Sequence, residues 1–212
     1  MNRVIAVVEG KTEQAFVREV LAPWLGSRGV SLFARLVGDP GHKGGVGEYP
    51  RAKSNILRLL KQNSESFVTM MFDYYGMPNS WPGRKNATKA TYARKAATIE
   101  QAILKDITHT LGAKLNKQRF LPYVQMHEFE GLLFSRPRVI AEVVNEDSIA
   151  DALQAIRDRF RSPEEINDGP ETAPSKCIQK FSVTFDKPVD GVFAAQRIGI
   201  ETIRQECPHF NQ

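Results

Sequence analysis

Two of the most apolar stretches in the chain each end in a carboxylate. Val4-Ile5-Ala6-Val7-Val8 stops at Glu9, inside the turn Glu9-Gly10-Lys11-Thr12-Glu13, and Phe67 to Phe72 runs straight into Asp73. Short continuous runs of Val, Ile, Met and Phe describe strands buried on both faces, the pattern of the centre of a parallel sheet. Open α/β sheets receive ligands outside the carboxyl ends of their strands, so Glu9 and Asp73 stand where a site is expected. Carboxylates gathered there would hold a divalent cation through hard oxygens, which selects Mg²⁺ or Mn²⁺ over zinc. Glu13 has two readings. It is either a further ligand or a helix-dipole partner in the first turn of a helix capped by Thr12. A third terminus follows Phe120 to Met126, at His127-Glu128-Phe129-Glu130. Glu128 and Glu130 both face the crevice if the strand continues in extended form, and only one does if a helix begins at once. A zinc-protease arrangement is excluded, because Gly131 stands where the second histidine is required.

Cations accompany the acids. The chain carries a net charge of +5, and Arg84, Lys85, Lys89, Arg94 and Lys95 crowd into the segment after Asp73. Carboxylates bordered by such a segment suit a metal-dependent enzyme acting on phosphodiesters, with the cations holding the backbone. The other reading is a solvated helix face. The Gly-rich stretch Gly38 to Gly47 lacks the Gly-Lys-Ser/Thr of a P-loop and is not followed at once by a helix. It reads as a mobile loop, with Lys43 or His42 approaching a phosphate as the functional alternative. Trp81, in the Pro- and Gly-rich segment Gly76 to Gly83, could stack on a base. Packing the loop down is the preferred expectation.

The elements that must position these groups alternate. A strand at the N-terminus is followed by an amphipathic helix over Gln14 to Leu25, a strand over Ser31 to Val37, and a helix over Pro50 to Gln62. Then come the Asp73 strand, a long helix from Thr88 to Leu111 and a fourth strand over Phe120 to Met126, with Pro122 marking a start or an edge. Beyond residue 135 the pattern is helical. The expectation is an α/β, Rossmann-like core of about four mainly parallel strands flanked by helices over residues 1–135, with a helical C-terminal extension over 136–212. A hydrophobic fraction of 42% with 25% charged residues is that of a globular protein. There is no apolar run of membrane-spanning length and no signal-peptide pattern, so a cytoplasmic protein without membrane contact is expected. The two cysteines, Cys177 and Cys207, have no metal-type spacing and are expected to be reduced.

The Glu9-Gly10-x-Thr12-Glu13 turn after a buried strand, followed at a helix-and-strand interval by Phe72-Asp73, resembles the TOPRIM domain of topoisomerases, primases and OLD-family nucleases. The resemblance implies that Glu9 is the metal-gathering glutamate after the first strand and Asp73 the first aspartate of an Asp-x-Asp pair, with catalytic roles for both. Glu13 then corresponds to the second acid of the Glu-x-x-x-Glu spacing in OLD-type nucleases. Tyr75 stands in place of the second aspartate, and Glu128 or Glu130 is the candidate replacement ligand. His127 and Lys176 are candidates for a phosphate or transition-state contact. The blocks His127 to Glu130, Ile166 to Pro170 and Cys207 to Phe210 resemble a bacterial TOPRIM-related family often encoded beside an ATPase of the SMC or OLD type. Together these resemblances imply a Mg²⁺- or Mn²⁺-dependent nuclease or nuclease subunit acting on DNA or RNA, with an ATPase partner in repair or phage defence. The rival expectation is a non-catalytic adaptor of the same fold that binds nucleic acid or the ATPase.

Overall fold

The structure, a computed structural model, describes residues 2–39, 42–43, 47–62, 64–112, 117–166 and 172–212, with the side chains of residues 39, 42, 43 and 117 excepted. The chain forms two compact units, Met1–Val124 and Gln125–Gln212.

In the first unit, β1 (Asn2–Val8) leads through Glu9 into α1 (Lys11–Phe16), which widens into a π turn at Val17–Leu21 and continues as α2 (Ala22–Gly26). The single helix expected here is interrupted just ahead of Pro23, which has no N–H to offer the carbonyl four residues back. Then come β2 (Val30–Leu36), the short pair β3 (Gly38–Asp39) and β4 (His42–Lys43), α3 (Tyr49–Gln62) and β5 (Ser66–Asp73). The expected long helix is present as α5 (Tyr92–Leu111), preceded by a short additional helix, α4 (Arg84–Ala87). Just ahead of α4, Gly83 has φ +78°, and a Cβ there would lie 2.6 Å from the Thr98 carbonyl oxygen. The turn approaches α5 too closely for any other residue.

The sheet runs β2-β1-β5-β6, where β6 is Phe120–Leu121, and all three of these pairings are parallel. The fourth strand expected from the sequence is thus split. Pro122 cannot donate to a ladder, and β6 ends before it, while β7 (Val124–Gln125) resumes pairing with β5, making a five-stranded sheet. Ile5 to Val8 are all buried, as a central strand requires, and Ile99, Ile103 and Ile107 of α5 are buried with them. Trp81 is 2% exposed, its rings 5.3 Å from Tyr49 and 5.1 Å from Phe72, and its Nε1 donates to the Gly47 carbonyl at 3.1 Å. It packs the loop down, as expected.

The second unit begins earlier than residue 136. Its centre is a 3₁₀ helix, Phe129–Ser135, whose Phe129, Leu132, Leu133 and Phe134 are fully buried. Around it pack α6 (Pro137–Val143), α8 (Pro174–Gln179), α9 (Val192–Ile198) and α10 (Ile200–Glu206), with α7 (Ala150–Arg157) against α6. This burial draws residues 125–135 into the C-terminal unit. Both cysteines are free thiols. Among the described residues no helix is long and apolar enough to cross a membrane.

Glu164, 1% exposed, accepts hydrogen bonds from the backbone N–H groups of His209 at 2.8 Å and Phe210 at 3.0 Å, tying down the C-terminal segment. Burial raises its carboxyl above the usual glutamate range, and the two backbone bonds and His209 only partly offset this. A raised folded-state value means the folded chain holds this proton more tightly than the unfolded one. The contribution is therefore complete below the ordinary glutamate range, about pH 4.3, and is lost as pH rises through the raised value. Urea unfolding of the parent and Glu164→Gln between pH 4.5 and 8 should show the stability difference moving in favour of the variant as pH rises. A difference independent of pH would contradict this account.

Candidate metal and phosphate site

Parallel pairing of β1 with β5 sets the geometry. Val8 lies opposite Met71, so the chain leaves both strands at one edge of the sheet, and the Glu9 N–H still donates to the Met71 carbonyl at 3.3 Å. Two residues further along β5, the Asp73 N–H donates to Glu9 Oε2 at 3.2 Å. The two strand-end acids are thus joined directly. The bond runs from the Asp73 backbone to the Glu9 carboxylate and holds that carboxylate at the end of β5.

Glu13 does something else. The cap of α1 is Gly10 in extended conformation, not Thr12, which lies inside the first turn. Glu13, 6% exposed, turns back and accepts the Gly10 N–H at 2.8 Å, so its carboxylate closes the helix start. A Cβ at Gly10 would sit 2.9 Å from that same oxygen. Glycine at this turn leaves room for the carboxylate.

Behind Asp73, Tyr74 is a buried platform for cations. Arg84 Cζ lies 4.0 Å over its ring and Arg84 Nη1 donates to its hydroxyl at 3.0 Å, while Lys95 Nζ is 5.6 Å from the ring centroid. Sequence reasoning passes over Tyr74 because an aromatic residue after a strand carries no charge pattern. Lys85, Lys89 and Arg94 are exposed, on α4, the following turn and the start of α5. The basic segment is therefore mixed, two cations held against the residue after Asp73 and three open to solvent. The side chains of Lys43 and His42 lie outside the described residues, as do residues 167–170 of the second resemblance block.

The other acids lie in the C-terminal unit. His127 is buried with φ 60°, a conformation sparsely occupied by residues other than glycine, and it turns the chain from β7 into the 3₁₀ helix. The helix begins at once, yet both glutamates reach one group. Lys187 Nζ lies 3.5 Å from Glu128 Oε1 and 3.4 Å from Glu130 Oε1, and the Ser175 N–H donates to Glu128 Oε2 at 3.0 Å. Lys187 is not legible as a partner in the sequence. Asp186, whose side chain accepts the Val189 N–H, and Pro188 mark a helical start there, but nothing in that pattern indicates which acids the intervening lysine meets. Lys176 is exposed on α8, with its Nζ 3.4 Å from Gln179 Oε1.

Among the described residues, no three His, Cys, Asp or Glu side chains are gathered into a group that could hold a metal ion by themselves. The donor chemistry of Glu9 and Asp73 nevertheless suits magnesium. That ion keeps several waters and is held by one or two carboxylates together with substrate phosphates, and does not need an all-protein cage.

The family described as "Domain of unknown function (DUF4276)" matches residues 8–212. Among solved structures, the chain is similar to the C-terminal region of the OLD protein of Xanthomonas campestris pv. campestris, with 16% identity over 99% of this chain and 94% of that one and a TM-score of 0.39. It is similar also to the C-terminal region of the Burkholderia pseudomallei OLD protein, with 15% identity over 98% and 96% of the two chains and a TM-score of 0.42. A likeness this loose transfers neither residues nor activities. No curated protein matches the sequence.

Lys187 tests how these acids are held. Removing one partner of a buried ion pair costs about 3–5 kcal/mol, because the other is left charged and dry. Glu130 is 2% exposed and the Lys187 side chain 35%, which places the expected loss for Lys187→Met near the bottom of that range. Urea unfolding would measure it, and a loss below about 1 kcal/mol, the level of an exposed pair, would contradict the assignment.

Proposed function

The chain belongs to the DUF4276 family, and we propose that it is a divalent-metal-dependent nuclease, or a nuclease subunit working with an SMC- or OLD-type ATPase, acting on DNA or RNA. The observation that carries this reading is the meeting of Glu9 and Asp73 at adjoining ends of two parallel strands, with a cation-bearing tyrosine immediately beyond. The TOPRIM resemblance of the same two residues points the same way. Glu9 and Asp73 are the residues that would hold Mg²⁺ or Mn²⁺, supplying a fixed pair of hard anionic oxygens at the sheet edge. Such an ion, when bound, polarises a phosphoryl oxygen and lowers the pKa of coordinated water.

The chain's own residues do the positioning. Arg84 and Lys95, held on Tyr74, offer charge to a backbone phosphate, and the exposed Lys85, Lys89 and Arg94 extend that charge along the surface. Glu13 fixes the turn that carries Glu9 by closing the start of α1. Its capping bond supports this positioning role over that of a ligand in the metal-free chain. His127 and Lys176 remain candidates for a phosphate contact within this proposal.

A second reading is favoured by a specific observation. Glu128 and Glu130 already share the ammonium of Lys187, and Tyr75 stands where an Asp-x-Asp pair has its second acid. These features suit a non-catalytic adaptor that keeps the fold and binds nucleic acid or an ATPase.

The two readings separate in one assay. Purified chain is incubated with labelled single- and double-stranded DNA and RNA in Mg²⁺, Mn²⁺ or EDTA, beside Glu9→Gln and Asp73→Asn. Cleavage by the parent, lost in EDTA and reduced at least about a hundredfold in both variants, is the expected result, as for removal of a group that stabilises transition-state charge. Cleavage surviving both substitutions eliminates the site, and no cleavage with any substrate favours the adaptor.

A further inference from the structure

The helix α3 carries a second cationic surface, on the side away from the core. Lys53, Ser54, Leu57, Arg58, Lys61 and Gln62 line an open groove of about 490 Å³, and none of the residues lining it is acidic. Ser54, Leu57, Arg58 and Lys61 recur at helical spacing, so they form one stripe along the element. Leu57 belongs to this stripe and not to the buried face, where Ile56, Leu59 and Leu60 lie.

Three observations distinguish the groove from an ordinary solvated face. First, Asn55 is buried and donates its Nδ2–H to the Arg51 carbonyl at 3.0 Å, while its Oδ1 accepts from Arg58 Nη2 at 3.2 Å. A buried amide thus orients an exposed guanidinium, which lowers the entropy lost when that group takes up a ligand. Second, Lys53 is bound at 2.8 Å to Asp106, which also accepts from the Tyr49 hydroxyl at 2.6 Å. Burial alone would raise the Asp106 carboxyl, but the hydrogen bonds from Lys53 and Tyr49 and the charges of Lys53 and His109 outweigh it and hold it below the usual range. Asp106 is thereby committed to the start of the helix, and the charge of Arg58 and Lys61 further along is not cancelled by it. Third, α3 begins at the carboxyl edge of the sheet. Ser80 Oγ donates to Glu48 Oε2 at 2.6 Å and Trp81 to the Gly47 carbonyl, tying the start of α3 to the loop after Asp73. From that edge the 14 residues of α3 run about 21 Å down the flank of the unit, and the stripe from Ser54 to Lys61 occupies the later part of it.

We infer that the outer groove of α3 binds the sugar-phosphate backbone of a nucleic acid that passes the Glu9–Asp73 edge, with Arg58 and Lys61 contacting phosphates. This rests on the nuclease reading for the identity of the polyanion. Arg58 and Lys61 point to phosphates by charge, and the half-exposed Leu57 beside them offers an apolar contact to a sugar. Contacts to phosphate and sugar carry no base information, so the binding is independent of sequence.

The test is fluorescence anisotropy with a labelled 20-base-pair duplex in EDTA, so that binding is read without cleavage, from 50 to 200 mM KCl. Each lost phosphate contact lowers the slope of log affinity against log salt by about 0.9. Arg58→Ala with Lys61→Ala should lower it by about 1.8, so that affinity falls about tenfold less than the parent's over this salt range. Arg138→Ala with Lys180→Ala, which removes the same charge from the C-terminal unit, should leave the slope unchanged. Equal slopes for the parent and the α3 variant, or equal losses in the two double variants, overturn the inference and leave the nuclease reading standing. No duplex binding by the parent overturns the inference as well, and the cleavage assay then decides the nuclease reading separately. Thermal melting of each variant confirms that an altered slope comes from a folded chain, since both α3 side chains lie on the outer face and alanine is the better helix former.

Discussion

The register of β1 against β5 is the constraint on which the rest of the candidate site depends. With Val8 opposite Met71, the carboxylate of Glu9 meets the amide of Asp73, and neither acid can leave the edge without a shift of the whole pairing. A one-residue slip in a strand moves every side chain to the other face. Here it would break the packing of Val7 and Met70, both buried. Core packing of two apolar strands therefore fixes the spacing of two charged groups that contribute nothing to that core. The same sheet edge receives the Tyr74 platform and the start of α3, so the anionic centre and the two cationic surfaces are placed by one set of strand pairings.

Among the described residues, four glutamates are buried and hold structure. Glu13 caps a helix, Glu164 anchors the C-terminal segment, and Glu128 shares Lys187 with Glu130. Each of these glutamates is buried, and each is engaged by a backbone amide or an ammonium, as the cost of drying a carboxylate demands. Glu9 and Asp73 are half-buried at a strand edge, a setting in which a carboxylate can exchange water for a hydrated cation.

Much of the architecture was legible in the sequence, and the reasons are particular. β1 and β5 are continuous apolar runs that end in acids, and both strand and terminus could be read from them. The amphipathic helices were legible from the spacing of Ile99, Ile103 and Ile107 and of Ile56, Leu59 and Leu60, whereas Leu57, expected on the same buried face, lies on the outer side of α3. Boundaries failed where a local group competed with the pattern. Pro122 divided the last strand, Gly83 turned the chain into α4 ahead of α5, and Pro23 followed a widened helical turn. In the site, the pairing of Glu9 with Asp73 was legible because both follow strands. The capping bond of Glu13 lay outside its two open readings, ligand and helix-dipole partner, because Thr12 was read as the cap and the extended Gly10 took that place. Lys187 was invisible, because its partners are far away in the sequence and only packing around the Phe129–Ser135 helix brings them to it.

The proposed function requires the strand-end pair, Glu9 and Asp73, to bind a divalent ion. Thermal melting above pH 7, with and without millimolar Mn²⁺, measures this without knowledge of the substrate. An ion that binds only the folded chain stabilises it by about 2.7 kcal/mol at a hundredfold excess over its dissociation constant, roughly 5–10 °C for a chain of this size. The account predicts such a rise for the parent and a much smaller one for Asp73→Asn, whose melting temperature without metal should equal or exceed the parent's. No Mn²⁺-dependent rise in the parent, or an equal rise in Asp73→Asn, would contradict it.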